Sequence, residues 1–255
     1  MILTIHIGNS IITLGGVEGD SVRFECRINT DRVKTSDTYC IDLKTLFEIY
    51  GIGLDSIEGV IIASVVPQVL NAIQTAIRKL LGMEPLVVEP GMKTGLNIRL
   101  DNPAQMGATL VAADVAALRE HKPPLIVIDM GTATTISVLD ETGAHLGGCV
   151  CPGVKISLDA LTARTALLPG IQLESPRQAL GRNTSDAMRS GIMYGTAAML
   201  DGMIDRFREE LGCEFTIVGT GGIARHILPL CRHRIIFDRH LIIKGLAELY
   251  RENSR

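Results

Sequence analysis

Residues 125–143 read LIVIDMGTATTISVLDETG, and residues 3–20 read LTIHIGNSIITLGGVEGD. Ile5-His6-Ile7-Gly8 falls on Ile128-Asp129-Met130-Gly131 and Asn9-Ser10 on Thr132-Ala133, each residue matched 123 places later. Both copies show a β-branched strand, a glycine turn, a second strand, and then an acidic or glycine-rich hairpin turn. Either turn alone reads as a plain β-hairpin. Two at corresponding places, about half the chain apart, indicate a duplicated domain.

The stretches after each copy agree. The first is followed by a strand (VRFECRI), a helix (IDLKTLFEIY), a strand (GVIIASVV), a helix through AIQTAIRKLL, a strand (PLVVE) and a helix (AQMGATLVAADVAALRE). The second leads to a strand (AHLGGCV), a helix (ISLDALTAR), a long helix over 185–211, a strand (EFTIVG), a helix after TGG, a strand (RIIFD) and a closing helix (IKGLAELYRE). Three leading strands followed by alternating helices and strands, twice over, predict an α/β protein with two mixed sheets. The expected division is an N-terminal domain over 1–120 and a C-terminal domain over 121–255, with a cleft between them that both glycine turns face.

A glycine turn between apolar strands suits phosphate, because it lets backbone N–H groups come close to the anion. Such turns usually carry an acid for a phosphate-bound metal, and His6 occupies that place in the first copy.

The chain has 255 residues, 46% hydrophobic and 21% charged, which is ordinary for a globular protein. A net charge of −3 gives no reason to expect nucleic acid or an anionic membrane as partner. No apolar run approaches the ~18–20 residues of a membrane span. The longest, VIIASVVPQVL, is broken by Pro67, and no basic leader opens the chain. Cys26, Cys40, Cys149, Cys151, Cys213 and Cys231 form no disulfide framework, as in a reducing compartment, so the expected location is the cytoplasm. The CxC of Cys149 and Cys151 is too tight for usual zinc spacing and reads as two strand cysteines. His226, His233 and His240 recur every seventh residue, but Pro229 interrupts any helix joining the first two.

Several stretches resemble type III pantothenate kinases, a family of the superfamily of actin, sugar kinases and acetate kinases, with duplicated ribonuclease H-like domains. They are TDRVKTSD (30–37), GVIIASVVP (59–67), KTGLNI (93–98), DNPAQMGA (101–108), IDMGTATTI (128–136), LGGCVCPGVKISLDAL (146–161), GRNTSDAMRSGIMYG (181–195), GTGGIA (219–224) and GLAELYREN (245–253). They span the chain in the family's order. The resemblance implies a kinase of coenzyme A biosynthesis that uses ATP, magnesium and a monovalent cation (potassium or ammonium) to phosphorylate the terminal hydroxyl of pantothenate. It places phosphate and metal at the first glycine turn, His6 to Thr13, with Gly8, Asn9 and Ser10 in contact with the nucleotide. Thr132 matches a further nucleotide contact, and Thr220, Gly221 and Gly222 match the turn near the nucleoside. Asp129 matches the carboxylate that holds the monovalent cation. Gly107, Ala108, Thr109, Leu110, Leu100 and Thr184 fall on pantothenate-contacting positions. Backbone amides at Gly8, Asn9, Gly131 and Gly221 are the expected phosphate donors.

The resemblance breaks at one cluster. The family has aspartate at His6, aspartate then arginine at Thr109-Leu110, and commonly tyrosine at Leu100. The aspartate at the Thr109 position is the family's general base, and the arginine reads the charged end of the substrate. Threonine cannot take a proton at neutral pH, and leucine offers no donor to a carboxylate. Asp101 falls on an acidic position of the family and is read as structural rather than as a substitute base. Three readings follow: a slow pantothenate kinase; a weak homologue acting as partner subunit of an intact paralogue or as a ligand-binding regulator; or a kinase for a related small alcohol. The small and apolar residues of SGIMYGTAAMLDGMI on the long helix predict a homo- or heterodimer interface.

Overall fold

The computed structural model describes residues 1–254 as two compact units, each built on a five-stranded mixed sheet. In the first, β1 (Ile2–Ile7), β2 (Ile11–Glu18) and β3 (Ser21–Asn29) form an antiparallel meander. Helix α1 (Ser36–Ile49), β4 (Gly59–Ser64), α2 (Pro67–Leu81), the two-residue β5 (Leu86–Val87) and α3 (Ala108–Glu120) follow. The strand order is β3-β2-β1-β4-β5, with β4 parallel to β1 and β5 parallel to β4. Strands β1 and β4 are apolar along nearly their whole length because helices cover both faces of the sheet. One face packs Leu3, Ile5 and Ile7 with Tyr39, Leu43 and Phe47 of α1 and Ile73 and Ile77 of α2. The other packs Ile61 and Ala63 with Val111, Ala112, Leu246 and Leu249. Thr35 starts α1 by accepting from Thr38 N, and Gly82 ends α2 in the left-handed conformation at φ 65.

The second unit repeats the plan. It contains β6 (Leu125–Met130), β7 (Ala133–Leu139), β8 (His145–Pro152), α4 (Val154–Arg164), α5 (Thr184–Leu211), β9 (Thr216–Thr220), the short α6 (Ala224–Ile227) and β10 (Ile236–Phe237). Its order, β10-β9-β6-β7-β8, is that of the first sheet. The repeat slips by one residue after the turn. Ile7 pairs with Ile12 in the first copy, but Met130 pairs with Thr134 in the second, so the second turn is one residue shorter.

Two segments depart from a division near residue 120. Residues 97–99 join the second unit, where Ile98 bridges to His145 and Arg99 pairs with Asp140 at 2.9 Å. Helix α7 (Leu241–Asn253), expected in the C-terminal domain, belongs to the first unit. Its apolar side, Leu241, Ile243, Leu246, Ala247 and Leu249, is buried there. A Cβ on Gly245 would lie 1.8 Å from the Ala112 carbonyl oxygen, so only glycine lets α7 come this close to α3. The Asn253 side-chain amide fastens the end, donating to Lys93 O at 2.7 Å and accepting from Lys93 N at 3.1 Å. Among the described residues no helix is long and apolar enough to cross a membrane.

Candidate active site

Strand β1 delivers His6 to the mouth of the first glycine turn, and the first turn of α3 carries Thr109 and Leu110. Their separation in sequence hides a direct contact: His6 Nε2 and Thr109 Oγ1 lie 3.0 Å apart. Both side chains are half-buried. Burial pushes the imidazole pKa down to about 4, so at neutral pH the ring is uncharged. The two positions at which the resemblance expects carboxylates therefore form a neutral pair, with the proton between them placed by the ring's tautomer. Gly107 lies just before α3, where its carbonyl accepts from Val111 N at 3.1 Å. Ala108 and Leu110 are half-buried in that first turn, and Leu100 is half-buried in the irregular stretch before it.

Magnesium does not fit this pair. The ion binds oxygen ligands, carboxylates above all, and an uncharged imidazole bonded to a hydroxyl supplies no charge and only one neutral oxygen. The depressed pKa has a stability consequence. The unfolded chain takes up a proton on His6 below its ordinary pKa of 6.5, whereas the folded chain resists it until about 4. Folding stability is therefore full above about 6.5 and falls as pH drops from about 6.5 toward 4. The variant His6→Gln is expected to flatten this part of the pH–stability curve measured by urea unfolding. An unchanged slope would place the acid sensitivity elsewhere.

The turn itself differs from expectation in one respect. The Gly8 N–H is spent inside the hairpin on Ile11 O at 3.0 Å, and the Gly131 N–H on Ala133 O at 3.0 Å. Neither glycine is a free phosphate donor; each closes its turn. The turn apices are Asn9-Ser10 and Thr132, with Asn9 and Ser10 exposed. Thr30 braces the first turn from β3's end, its N–H donating to Ser10 O at 3.0 Å and its hydroxyl to Gly8 O at 2.7 Å.

In the second unit Asp129, next to last in β6, lies opposite Thr135 of β7 and beside Thr220 of β9. Burial pushes its carboxyl up to about 6. The Thr135 hydroxyl across from it is buried with no hydrogen-bond partner. A carboxylate beside an orphaned hydroxyl is an oxygen set that suits a monovalent cation. Gly221 follows at φ 108, and a Cβ there would lie 2.5 Å from Met130 O. Glycine thus lets the strand β9 exit cross close over β6, carrying exposed Gly222 with it. Thr220 is buried. Gly153 does the same for the turn: a Cβ there would lie 2.1 Å from Thr132 O. Sequence reading passed over this glycine, although its place at the junction of β8 and α4 marks a tight backbone crossing.

Thr184 opens α5, one residue after Asn183, which caps the helix by accepting from Asp186 N at 2.9 Å. It lines an open cleft of about 700 Å³ within the second unit, with Arg182 at the rim and Leu161, Leu168, Met188 and Ile192 below. Along α5, Met188, Ile192, Met193, Ala197, Leu200 and Ile204 are buried, while Ala187, Gly191, Gly195 and Ala198 are exposed. Cys149 and Cys151 sit on β8 and all six cysteines are free thiols. His233 pairs with Asp205 at 2.7 Å and His240 with the buried Glu25 side chain at 3.0 Å, so these two heptad-spaced histidines serve separate contacts.

The description "Type III pantothenate kinase" matches residues 2–206. A protein of that name from Exiguobacterium sp. (strain ATCC BAA-1283 / AT1b) is 40% identical over 255 residues, covering all of both chains. Among solved structures, component A of the Acidaminococcus fermentans (R)-2-hydroxyglutaryl-CoA dehydratase superposes with a TM-score of 0.60 at 12% identity, covering 100% of this chain and 99% of that one. The inorganic polyphosphate/ATP-glucomannokinase of Arthrobacter sp. superposes at 0.50 and 15%, covering 97% of each. These two likenesses concern the fold alone, the duplicated α/β architecture. With the family description matching most of the sequence and a relative aligned from end to end, the chain belongs to the type III pantothenate kinase family.

Proposed function

We propose that this chain is a cytoplasmic phosphotransferase of coenzyme A biosynthesis that phosphorylates pantothenate with ATP, and that by itself it works slowly. The observation that carries the reading is the His6–Thr109 contact at 3.0 Å. Phosphoryl transfer asks a protein mainly for positioning and charge neutralisation. ATP, when bound, supplies the γ-phosphoryl group. The turn apex of each unit, Asn9-Ser10 in the first and Thr132 in the second, is suited to a phosphate, and Gly221, close over Met130 in the second, to the nucleoside end. Asp129 and the Thr135 hydroxyl are the residues that would hold a potassium or ammonium ion. The Thr109 hydroxyl can accept a hydrogen bond from the pantothenate hydroxyl but cannot keep its proton. Leu110 leaves the substrate's carboxylate without the cation the resemblance expects from that position. The test is ADP release from purified homomer with ATP and pantothenate, with and without added magnesium, beside an intact relative. Turnover matching the relative would refute the slow-enzyme reading.

The same contact favours a second reading, in which the substrate proton passes through the Thr109 hydroxyl to His6 Nε2. Thr109→Val breaks that path while keeping shape. A further loss of about tenfold or more in kcat would support the relay, and unchanged kcat would dismiss it.

A partner role is carried by α5. Its exposed face of Ala187, Gly191, Gly195 and Ala198 lets another helix approach closely, which suits a dimer with a second copy or with an intact paralogue able to provide the missing carboxylates. Sedimentation is expected to give a dimer at micromolar concentration. A monomer there would argue against the interface. Mixing with the paralogue is expected to raise pantothenate turnover above the sum of the separate proteins, while a pure ligand-binding regulator would alter affinity without that gain.

A further inference from the structure

The stretch TDRVKTSD has no part in the chemistry described so far, yet a good deal of buried structure holds it in place. Tyr39 is fully buried, and its hydroxyl donates to Asp31 O at 2.7 Å while accepting from Asp31 N at 3.1 Å. Asp31 Oδ1 accepts from Val33 N at 2.9 Å, closing a tight turn around residue 32. Thr30, immediately before, is tied to the first glycine turn by both its N–H and its hydroxyl. Lys34, on the far side, is engaged by Asp42 at 2.8 Å. What this bracing presents is Arg32. Its side chain is exposed and donates to Asn9 Oδ1, at the apex of the turn, over 3.3 Å. No carboxylate pairs with it among the described residues. A guanidinium resting on a neutral amide through one long bond has its remaining donors available, and its planar fork matches phosphate oxygens.

We propose that Arg32 binds the nucleotide's outer phosphates at the first glycine turn, doing there with a fixed cation what a carboxylate-held metal would otherwise do. The inference rests on the reading of this turn as a phosphate site. It follows from two observations together: the His6–Thr109 pair is unfit for magnesium, and an arginine with no carboxylate partner among the described residues reaches Asn9 at the apex of the same turn. Polyphosphate charge needs a counter-charge, and Arg32 is the one placed at Asn9. Nucleotide binding then requires no magnesium.

The experiment is calorimetric titration of the intact chain with ATP and, separately, with adenosine, in magnesium and in EDTA. The unmodified protein is expected to bind ATP about equally in both. Arg32→Ala is expected to weaken ATP about tenfold or more, from loss of a charge-assisted contact, and to leave adenosine unchanged. Arg32→Lys should fall between, keeping charge without the fork. Melting temperature checks the fold, since the bonds of Thr30 and Tyr39 do not involve the Arg32 side chain. Equal ATP affinity in Arg32→Ala, or an equal loss for adenosine, overturns the proposal and leaves the kinase reading standing. An unmodified protein that binds no ATP under either condition overturns both.

Discussion

Purified alone, the protein is expected to phosphorylate pantothenate at least ~10²-fold more slowly than an intact relative, the lower end of what a positioned general base contributes. The loss comes from three residues. Thr109 offers a hydroxyl where a carboxylate would take the proton, and His6, uncharged and bonded to that hydroxyl at 3.0 Å, gives magnesium no charged oxygen ligand. On the proposed reading Leu110, on the same first turn of α3, would give the substrate's carboxylate nothing to pair with; losing such a pair costs about 2–5 kcal/mol in comparable buried cases. His6→Asp, Thr109→Asp and Leu110→Arg together are expected to raise turnover by more than their single effects combined, because groups that act as a unit are non-additive. The single change Thr109→Asp should do least well alone, since it buries a carboxylate beside a histidine that cannot hold a metal with it. The triple variant should also acquire a requirement for magnesium. A homomer that turns over pantothenate at about 1 s⁻¹ or faster, inside the usual kinase range, would refute the deficiency. The Thr109–His6 path would then be the base, and Thr109→Val should abolish that rate.

Much of this architecture is legible in the sequence because the fold rests on local patterns. The strand, glycine turn and strand occur twice, and a two-residue period beside a three- to four-residue period sorts strands from helices. The likeness of the two sheets follows from the repetition. The parts that are not legible depend on which surfaces meet. The periodicity of α7 shows an amphipathic helix, but not that Gly245 admits it against Ala112 and so attaches it to the first sheet. His6 and Thr109 look like two separate losses in the sequence and prove to be one hydrogen-bonded pair. The Gly8 and Gly131 amides look available for phosphate because glycine permits close approach, but the structure spends both inside their hairpins. Arg32 carries no signal by type or spacing, since one arginine in a polar stretch is usually a solvated surface residue. Only the bonds from Thr30 and Tyr39 show that its position is fixed.

The second large effect is expected from a residue that touches no ligand. Gly153 joins β8 to α4, with φ −68, so its conformation is open to any residue and the constraint is space alone. A Cβ there would lie 2.1 Å from Thr132 O and 2.7 Å from Gly131 O, backbone atoms that cannot rotate away. Gly153→Ala must therefore push the second glycine turn off its position or lift the start of α4 from it. Overpacking of this kind costs about 1–3 kcal/mol of stability. The functional cost should be larger, because displacement of a binding element by about 1 Å can cost ~10²-fold, and this turn carries Thr132. Gly170→Ala serves as the control, since nothing lies within 4 Å of a Cβ at that position. Expected results are a lower melting temperature and at least about tenfold weaker ATP binding for Gly153→Ala, with both properties unchanged for Gly170→Ala. If Gly153→Ala melts lower but binds ATP as before, then α4 has yielded rather than the turn, and Thr132 does not depend on this crossing. If neither property changes, the close approach of β8 to the turn is not a constraint on the protein.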